Sequence, residues 1–572
     1  METKQILIIG GGVLGPKVAC RLKRLRPGWN VTLVDQQEDI AYSACGIPHY
    51  LAGDVAELQG LMTASFHMVR NPDFFENAKD VRIKTQTRVL FLDRRVQKVR
   101  VRHLANGQEE ELPYDILVLA TGRRPKPLAV AGADLPGVTN VVTLQQAQTV
   151  KDQISRGEVG RAVIVGGGPD GCEMAAAVSD LWGVETTLVE PGSQVLPDRL
   201  DPPLARMVQK HLQDKGVEVL LGEAVQEIHP GSGDHSLEVV TLNRRLPADL
   251  VIVALGAEPN SELASEAGLT VSPSGGIAVN QRLQTSDPNI YAGGGCVENL
   301  HVITGKPAYL PETSLAHRQG RVIGTNIAGD FSTFPGITGS FTFKVFDLAV
   351  AGTGLNLETA CQEGLDAAAA LVVQQDHAHF YPVQELIYLQ LVVDRKSRRL
   401  LGAQGVCHNG DALVGRINSI AALLLHHGTI EDLSNLEMAY SPPYGTALDI
   451  VNTVANTAEN IAEGTNQSIS LEEFQHLFLE AQENVITLDV RGAANAAPFV
   501  AHFGERWLNI PQETLKHHFA SVPRDQRIIL ICNAGMRSYE ALRQLQAQRF
   551  DNAVGLQGGV AALKKAGMLD LG

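Results

Sequence analysis

The sequence predicts an α/β protein with two Rossmann-like units, an α+β segment after them and a compact α/β unit at the C-terminus. Three observations carry this expectation. A strand, a glycine turn, a helix, a second strand and an acidic residue follow one another at residues 6–35 and again at residues 162–190. Residues from about 335 to 460 hold long apolar strands such as Leu386-Ile387-Tyr388-Leu389-Gln390-Leu391-Val392-Val393, and a helical stretch through Ala421 to Leu425. Small polar residues at 461–468 read as a linker to a last unit, 469–572.

Composition bounds the reading. A chain of 572 residues implies roughly three to four domains. Apolar content of 44% and charged content of 19% are ordinary for a globular protein. The net charge of −15 opposes nucleic-acid and anionic-membrane partners, which need a basic surface, but leaves room for a local basic patch that binds a small anion. The seven cysteines show neither a disulfide framework nor a zinc spacing, so a reducing compartment and no metal are expected. Cys407-His408 has no further ligands at a metal spacing. The first strand starts at Gln5 with no leader pattern before it, and no apolar run approaches roughly 18 residues. The expected location is the cytoplasm.

The first unit has each part of a dinucleotide site. Ile6 to Ile9 form a strand, followed by Gly10-Gly11-Gly12-Val13-Leu14-Gly15, a helix through Leu25 and a strand Val31 to Val34. Gly10 permits the tight turn, Gly12 lets the backbone approach a pyrophosphate, and Gly15 lets the helix pack on the sheet. The helix N-terminus offers amides and a positive dipole end. Asp35 closes the second strand where a carboxylate can accept from ribose hydroxyls.

The second unit repeats the pattern with Gly166-Gly167-Gly168-Pro169-Asp170-Gly171 and Glu190. A carboxylate at 190 repels a 2′-phosphate, and Pro191-Gly192-Ser193 supplies no arginine to reverse that, so NADH is favoured over NADPH. Two such units resemble the two-dinucleotide flavoprotein reductases, in which the first unit binds FAD and the second, inserted in the first, binds NAD(P)H. The resemblance implies an FAD domain at 1–122 and 256–330 and a nicotinamide domain at 123–255. Ala120-Thr121-Gly122 is where the chain leaves the FAD domain. The segment Asn289 to Cys296, with Gly294 and Gly295, resembles the return strand that reaches the flavin. The same resemblance adds Val13, Gln36, Ser43 and Val89 to the flavin contacts.

Cys45 follows in Tyr42-Ser43-Ala44-Cys45-Gly46-Ile47-Pro48. It has no second cysteine at the C-x4-C spacing of a redox dithiol. A lone thiol forms a mixed disulfide, a persulfide or a sulfenate. Pro48 suits the first turn of a helix, which would place Cys45 near a helix N-terminus and favour its thiolate.

Cys45-Gly46-Ile47-Pro48, both glycine turns, Lys344 to Val350 and Tyr440-Ser441-Pro442-Pro443-Tyr444-Gly445 together resemble the coenzyme A disulfide reductase branch. The match is strongest to its rhodanese-fused, NADH-dependent persulfide or polysulfide reductases. The resemblance implies a dimerisation domain at 335–460 and a homodimer with composite sites. Tyr440 of one chain would approach Cys45 of the other and assist a departing thiolate. A second family tyrosine falls at Phe380-Tyr381, and the hydroxyl is missing if the register selects Phe380. Arg21, Lys23 and Arg24 stand where the family holds the nucleotide end of coenzyme A, with Arg24 the best match. The chain departs from the family at Ala41 and Ala44, where a serine and an asparagine contact coenzyme A. It departs at Gly295, in place of an aspartate on the ribityl chain, and at Pro169 and Asp170, in place of an aromatic and an apolar residue.

The last unit contains Val485 to Arg491, a strand ending in Asp-Val-Arg, then a strand Arg527 to Ile531, a loop Cys532 to Arg537 and a helix Ser538 to Gln548. It resembles a single rhodanese domain. A loop of successive inward amides stabilises an anionic sulfur. The resemblance makes Cys532 the persulfide carrier and Arg537 an anchor of the loop or a ligand for a substrate anion. The whole reading is an NADH-driven, FAD-dependent reduction of persulfide, polysulfide or a coenzyme A-type disulfide at Cys45, coupled to sulfur transfer at Cys532. Two rivals stay open: an NADH oxidase or peroxidase cycling Cys45 through sulfenic acid, and a sulfur relay whose flavoprotein half is regulatory.

Overall fold

The computed structural model describes residues 3–233, 235–481 and 484–569. The chain divides into two compact units, Met1–Val189 with Glu223–Ile337, and Glu190–Gly222 with Thr338–Gly572.

In the first unit, strand β1 (Gln5–Ile9) leads through the first glycine turn into helix α1 (Leu14–Leu25) and strand β2 (Asn30–Val34). A single helical turn α2 (Ile47–Leu51) follows. Strands β3 (Arg82–Lys84) and β4 (Ile116–Leu119) complete the local sheet. After helix α3 (Leu144–Ser155) come β5 (Arg161–Val165), α4 (Pro169–Ser179) and β6 (Glu185–Glu190), the second copy of the motif. Strand β7 (Leu250–Val253) pairs parallel with β5. Strand β8 (Ile290–Ala292) joins β4 of the first sheet, whose parallel order is β8-β4-β1-β2-β3. Residues Arg123–Pro125 and Ala257–Pro259 pair antiparallel where the chain leaves the first motif and returns to it.

The uninterrupted apolar runs of β1 and β4 have a direct cause. Ile6, Ile8, Ile116 and Val118 lie in one core cluster, and Leu7, Ile9, Leu117 and Leu119 in another. Successive side chains point to opposite faces, and both faces are covered, so alternation is lost. Helix α5 (Thr313–Ile327) covers one of these faces beside α1. A Cβ at Gly320 would lie 2.9 Å from the Lys17 Cβ, and one at Gly324 2.8 Å from the Arg21 Cβ. The two glycines therefore let α5 approach α1 closely, and this sets where the N-terminus of α5 stands.

In the second unit, β9 (Phe341–Val345), β10 (Leu348–Gly354), β11 (Ala367–Gln375), β12 (Leu386–Asp394) and β13 (Leu400–Cys407) form an antiparallel sheet of order β9-β10-β13-β12-β11. Helices α6 (Gly410–Leu425) and α7 (Ile450–Ala462) pack on it. The helix Pro202–Asp214 belongs to this unit: buried Asp201 accepts from the Leu357 N–H and from the side chains of Gln390 and Gln404. Helix α7 reaches into the stretch read as a linker.

The C-terminal sheet is parallel, with strands β14 (Ser468–Ile469), β15 (Val485–Asp489), β16 (Trp507–Asn509), β17 (Arg527–Ile531) and β18 (Ala553–Leu556) in the order β14-β18-β17-β15-β16. Helix α8 (Met536–Ala547) follows β17 and α9 (Gly559–Lys565) follows β18. The Asp-Val-Arg sequence closes a buried triangle. Arg491 forks onto the Asp489 carboxylate at 2.7–3.1 Å, and the Trp507 indole donates to the same carboxylate at 3.0 Å. A buried charge needs this degree of satisfaction. Among the described residues, no helix is long and apolar enough to cross a membrane, and no cluster of ligands could hold a metal ion.

Candidate active sites

The two glycine turns are built alike. A Cβ on Gly10 would meet the Ala120 carbonyl oxygen at 2.0 Å, and one on Gly15 would meet the Gly10 oxygen at 2.0 Å. A Cβ on Gly166 would meet the Ala254 oxygen at 2.5 Å, and one on Gly171 the Gly166 oxygen at 1.9 Å. Gly12 and Gly168 face open space instead. The outer glycines permit backbone packing, and the middle one leaves a cradle that a pyrophosphate fits. Val13 and Gly168 precede helices α1 and α4.

Asp35 accepts from the Gly11 N–H at 2.5 Å and the Gln37 N–H at 2.7 Å. Burial pushes its carboxyl up while these two bonds oppose the rise. Its carboxylate closes the turn by these two backbone bonds; Gln36 beside it is exposed. Glu190, the last residue of β6, is buried and accepts from the Gly192 N–H at 2.8 Å. Both acids can hold a ribose. Pro169 starts α4, and Asp170 stands exposed in its first turn, where the helix dipole favours a negative charge.

Ala120, Thr121 and Gly122 follow β4. The Thr121 hydroxyl donates to the Asn260 oxygen at 2.5 Å, tying the outgoing strand to the returning one. Val89 is half-buried at a bulge in its strand. Gly294 and Gly295 form a tight turn after β8; the Gly294 N–H donates to buried Gln319 at 2.7 Å, and Tyr309 donates to the Gly295 oxygen at 2.8 Å. A Cβ at 295 would touch Gly122 and Arg123 at 3.4 Å. The turn carries no carboxylate of its own, and the Gly294 N–H is already engaged by Gln319.

Cys45 is exposed, in a 3₁₀ turn Ala44–Gly46, beside exposed Ser43 and Ala44. The helix expected after it is only the single turn α2, too short to act as a dipole on the thiol. The group beside the sulfur is the Thr313 hydroxyl at the start of α5, with Oγ1 3.0 Å from Sγ.

The basic residues of α1 have different tasks. Lys23 donates to the Pro27 and Trp29 carbonyls and pairs with Asp80, so it caps the helix. Arg21 donates from Nε to Thr325 at 3.1 Å. Arg24 is exposed. His317 on α5 is held below the usual histidine pKa by partial burial and then by the charges of Lys17 and Arg70. The charges of Lys17 and Arg70 thus act on His317, a relationship that no local pattern in the sequence shows. Lys17 was legible one helical turn before Arg21; Arg70 and His317 meet it only in the fold.

Tyr440 is 48% exposed and Tyr444 79% exposed on the second unit. Phe380 is likewise exposed, whereas Tyr381 stacks on His377 at 5.6 Å.

Cys532 directly follows β17 and is only 2% exposed. The Gly535 N–H donates to its sulfur at 3.1 Å, and the Ser538 hydroxyl lies 3.5 Å away. Gly535 has φ +103°, which a side chain would strain. Helix α8 begins at Met536, earlier than expected, so Arg537 stands half-buried in its first turn and the loop proper is Cys532 to Gly535. The Gly535 N–H can stabilise a negative sulfur here.

Comparison with known proteins agrees with these features. Residues 4–320 match the pyridine nucleotide-disulphide oxidoreductase family, 340–450 its dimerisation domain, and 472–566 the rhodanese-like domain. The chain is 34% identical over 447 residues to the NAD(P)H coenzyme A polysulfide/persulfide reductase of Pyrococcus horikoshii, covering 78% of this chain and 96% of that one. The structure of an NAD-dependent persulfide reductase from A. fulgidus matches with a TM-score of 0.91 at 36% identity, over 98% of this chain and 99% of the other. The reduced Bacillus anthracis CoADR-RHD matches with a TM-score of 0.89 at 28% identity, over 99% of this chain and 98% of that one. The α/β architecture thus carries reductase, dimerisation and rhodanese-like domains; the second of these supports a homodimer, and the first implies use of a flavin and a pyridine nucleotide. The chain belongs to the pyridine nucleotide-disulphide oxidoreductase family.

Proposed function

We propose that the protein is an FAD-dependent, NADH-driven reductase of a small persulfide, polysulfide or coenzyme A-type disulfide, with sulfur transfer at its C-terminal domain. The observation that carries this is the exposed thiol of Cys45 against the Thr313 hydroxyl, with no second cysteine at the C-x4-C spacing to close an internal disulfide.

Gly10, Gly12, Val13, Gly15, Asp35, Gln36, Ser43, Val89, Ala120, Thr121, Gly122, Gly294 and Gly295 would hold FAD. Gly166, Gly168, Gly171 and Glu190 would hold NADH, with Glu190 disfavouring a 2′-phosphate. When bound, the two groups supply the electron pair that reduces a sulfur–sulfur bond. Arg21 and Arg24, with Lys17, Arg70 and His317, would bind the phosphates of a coenzyme A-type substrate. The Cys45 thiolate attacks the inner sulfur of R–S–SH, forming R–S–S–Cys45 and releasing HS⁻. Two electrons and one proton then return the Cys45 thiolate and RSH. Thr313 donates to the sulfur whenever it carries charge, and Tyr440 of the partner subunit assists the departing thiolate. Cys532 carries sulfane sulfur as a persulfide in its loop, with Arg537 holding a substrate anion.

The test is anaerobic stopped-flow absorbance. NADH should bleach the flavin and a coenzyme A persulfide or polysulfide should restore it, and Cys45→Ser should block only the second phase. Reoxidation by oxygen or peroxide in place of the sulfur substrate would select the oxidase reading. Absence of NADH bleaching alongside retained sulfur transfer would select the relay.

A further inference from the structure

The strand β11 is at the edge of its sheet, so one row of its backbone groups has no strand partner. The side chain of Gln557, in the turn between β18 and α9, fills part of that row. Its Oε1 accepts from the Leu371 N–H at 2.8 Å, and its Nε2 donates to the Ala369 carbonyl at 3.3 Å. The same amide nitrogen donates to the Ser468 hydroxyl at 3.2 Å, and the Gln557 backbone N–H donates to the Ile469 oxygen at 3.1 Å. A side-chain amide here stands in for the peptide of a neighbouring strand, which is what an open edge selects.

The next two residues pass this contact on. Gly558 and Gly559 have φ +69° and +57°, and Leu371 packs against Gly558. A Cβ on Gly559 would lie 2.4 Å from the Cys532 carbonyl oxygen. The Val560 N–H donates to that oxygen at 2.9 Å, and the Ala561 N–H donates to the Asn533 oxygen at 2.9 Å. The backbone of the Cys532 loop therefore rests directly on the start of α9, with no layer of side chains between. The far end of α9 is fixed as well: Lys565 Nζ lies 3.0 Å from His408 Nε2.

We propose that Gln557 is a positioning residue for Cys532: by clamping the turn at 557–559 to the open edge of β11, it fixes the loop whose Gly535 N–H donates to the sulfur. Sulfur chemistry in the C-terminal domain then depends on its docking to the dimerisation sheet. This rests on the reading of Cys532 as a sulfur carrier, and the test separates the two.

Full-length Gln557→Met keeps the length of the side chain and loses its hydrogen bonds; Gln557→Glu keeps an acceptor for the Leu371 N–H. Three readouts apply: hydrogen exchange of the Leu371 amide, the pH midpoint of Cys532 alkylation followed by peptide mass spectrometry, and kcat and KM for thiosulfate-to-cyanide sulfur transfer. The Met variant should expose the Leu371 amide, raise the alkylation midpoint and lower kcat roughly three- to tenfold, the scale of one or two lost hydrogen bonds, with KM nearly unchanged. The Glu variant should recover most of all three effects, and flavin reduction by NADH should not change. An exposed Leu371 amide with an unchanged alkylation midpoint and kcat would overturn the proposal, leaving Gln557 a fastener only. An amide that stays protected in the Met variant would overturn it too. If the wild type transfers no sulfur, the reading of Cys532 as a carrier fails, and the alkylation midpoint still decides the positioning role.

Discussion

The hydroxyl of Thr313 stands 3.0 Å from the sulfur of Cys45, although 268 residues separate them in sequence. The proposed cycle at Cys45 starts from its thiolate and ends by regenerating it, and a hydroxyl at this distance stabilises the charged form more than the neutral one. Thr313→Val keeps the shape and removes the donor. It should lower kcat/KM for the sulfur substrate by roughly tenfold or more, since a hydrogen bond to a charged group contributes about 1.5–3 kcal/mol. Thr313→Ser should retain most activity, and flavin bleaching by NADH should be unaffected in both. Equal losses in Val and Ser variants would assign the effect to packing at the start of α5.

Glu190 is buried at the end of β6 and engages the Gly192 N–H at 2.8 Å. On the proposed reading, a carboxylate there would accept from the ribose hydroxyls of NADH and repel the phosphate of NADPH. Glu190→Gln keeps the backbone bond and removes the charge. The ratio of kcat/KM for NADH over NADPH should fall on the order of tenfold, about 1.4 kcal/mol. An unchanged ratio would move the discrimination elsewhere in the second motif.

The parts legible in sequence were those carried by short-range pattern. Gly10, Gly15, Gly166 and Gly171 could be read because backbone contact forbids a side chain there, and β1 and β4 because both faces are buried. The Cys532 loop was legible as a strand running into a helix, although the helix starts at Met536 rather than Ser538. What escaped was long-range. Thr313 carries no local mark and reaches Cys45 only because Gly320 and Gly324 draw α5 onto α1. Arg24 is the best match in the run by resemblance, but nothing local shows that its neighbour Lys23 is spent on the Pro27 and Trp29 carbonyls. The helix after Cys45 was expected from Pro48, but proline announces only a first turn, and α2 ends after it. Asp201 was not singled out at all, because its donors come from Leu357, Gln390 and Gln404.

Gly535 gives the C-terminal site a separate test. Its N–H reaches the Cys532 sulfur at 3.1 Å only with φ at +103°. Gly535→Ala strains that conformation at a cost of about 1 kcal/mol or more, and the cheapest relief is to turn the amide away. Thiosulfate-to-cyanide transfer should fall roughly tenfold. Cys532→Ser should abolish that transfer and leave NADH bleaching intact, while Cys45→Ser should leave the transfer intact. Loss of transfer in the Cys45 variant would mean that the two cysteines act in one obligatory sequence.

The last prediction concerns acid stability and follows from His211. Its side chain is 8% exposed and packs edge-on to Phe346 and His408. Burial, and then the charge of Lys565, push its pKa down to about 4, against the opposing pull of Asp347. Its Nε2 is 3.0 Å from Asp347 Oδ1 but lies off the line of a hydrogen bond, so the pairing does not rescue the charged form. In the unfolded chain the imidazole takes up a proton near pH 6.5. Between about 6.5 and about 4 the unfolded state therefore binds more protons, and stability falls as the pH falls through that window. Asp347 acts in a lower range. Burial raises its pKa, but the Lys215 bond and its own backbone N–H outweigh this and hold it at about 2, so its contribution is full above about 3.8 and is lost toward 2. Urea midpoints of the second unit, followed by hydrogen exchange, should fall between pH 6.5 and 4 by the equivalent of about 1–3 kcal/mol. His211→Asn should be less stable at pH 7 through lost packing, yet flatter across the window. A variant as steep as the wild type would place the acid sensitivity on other groups.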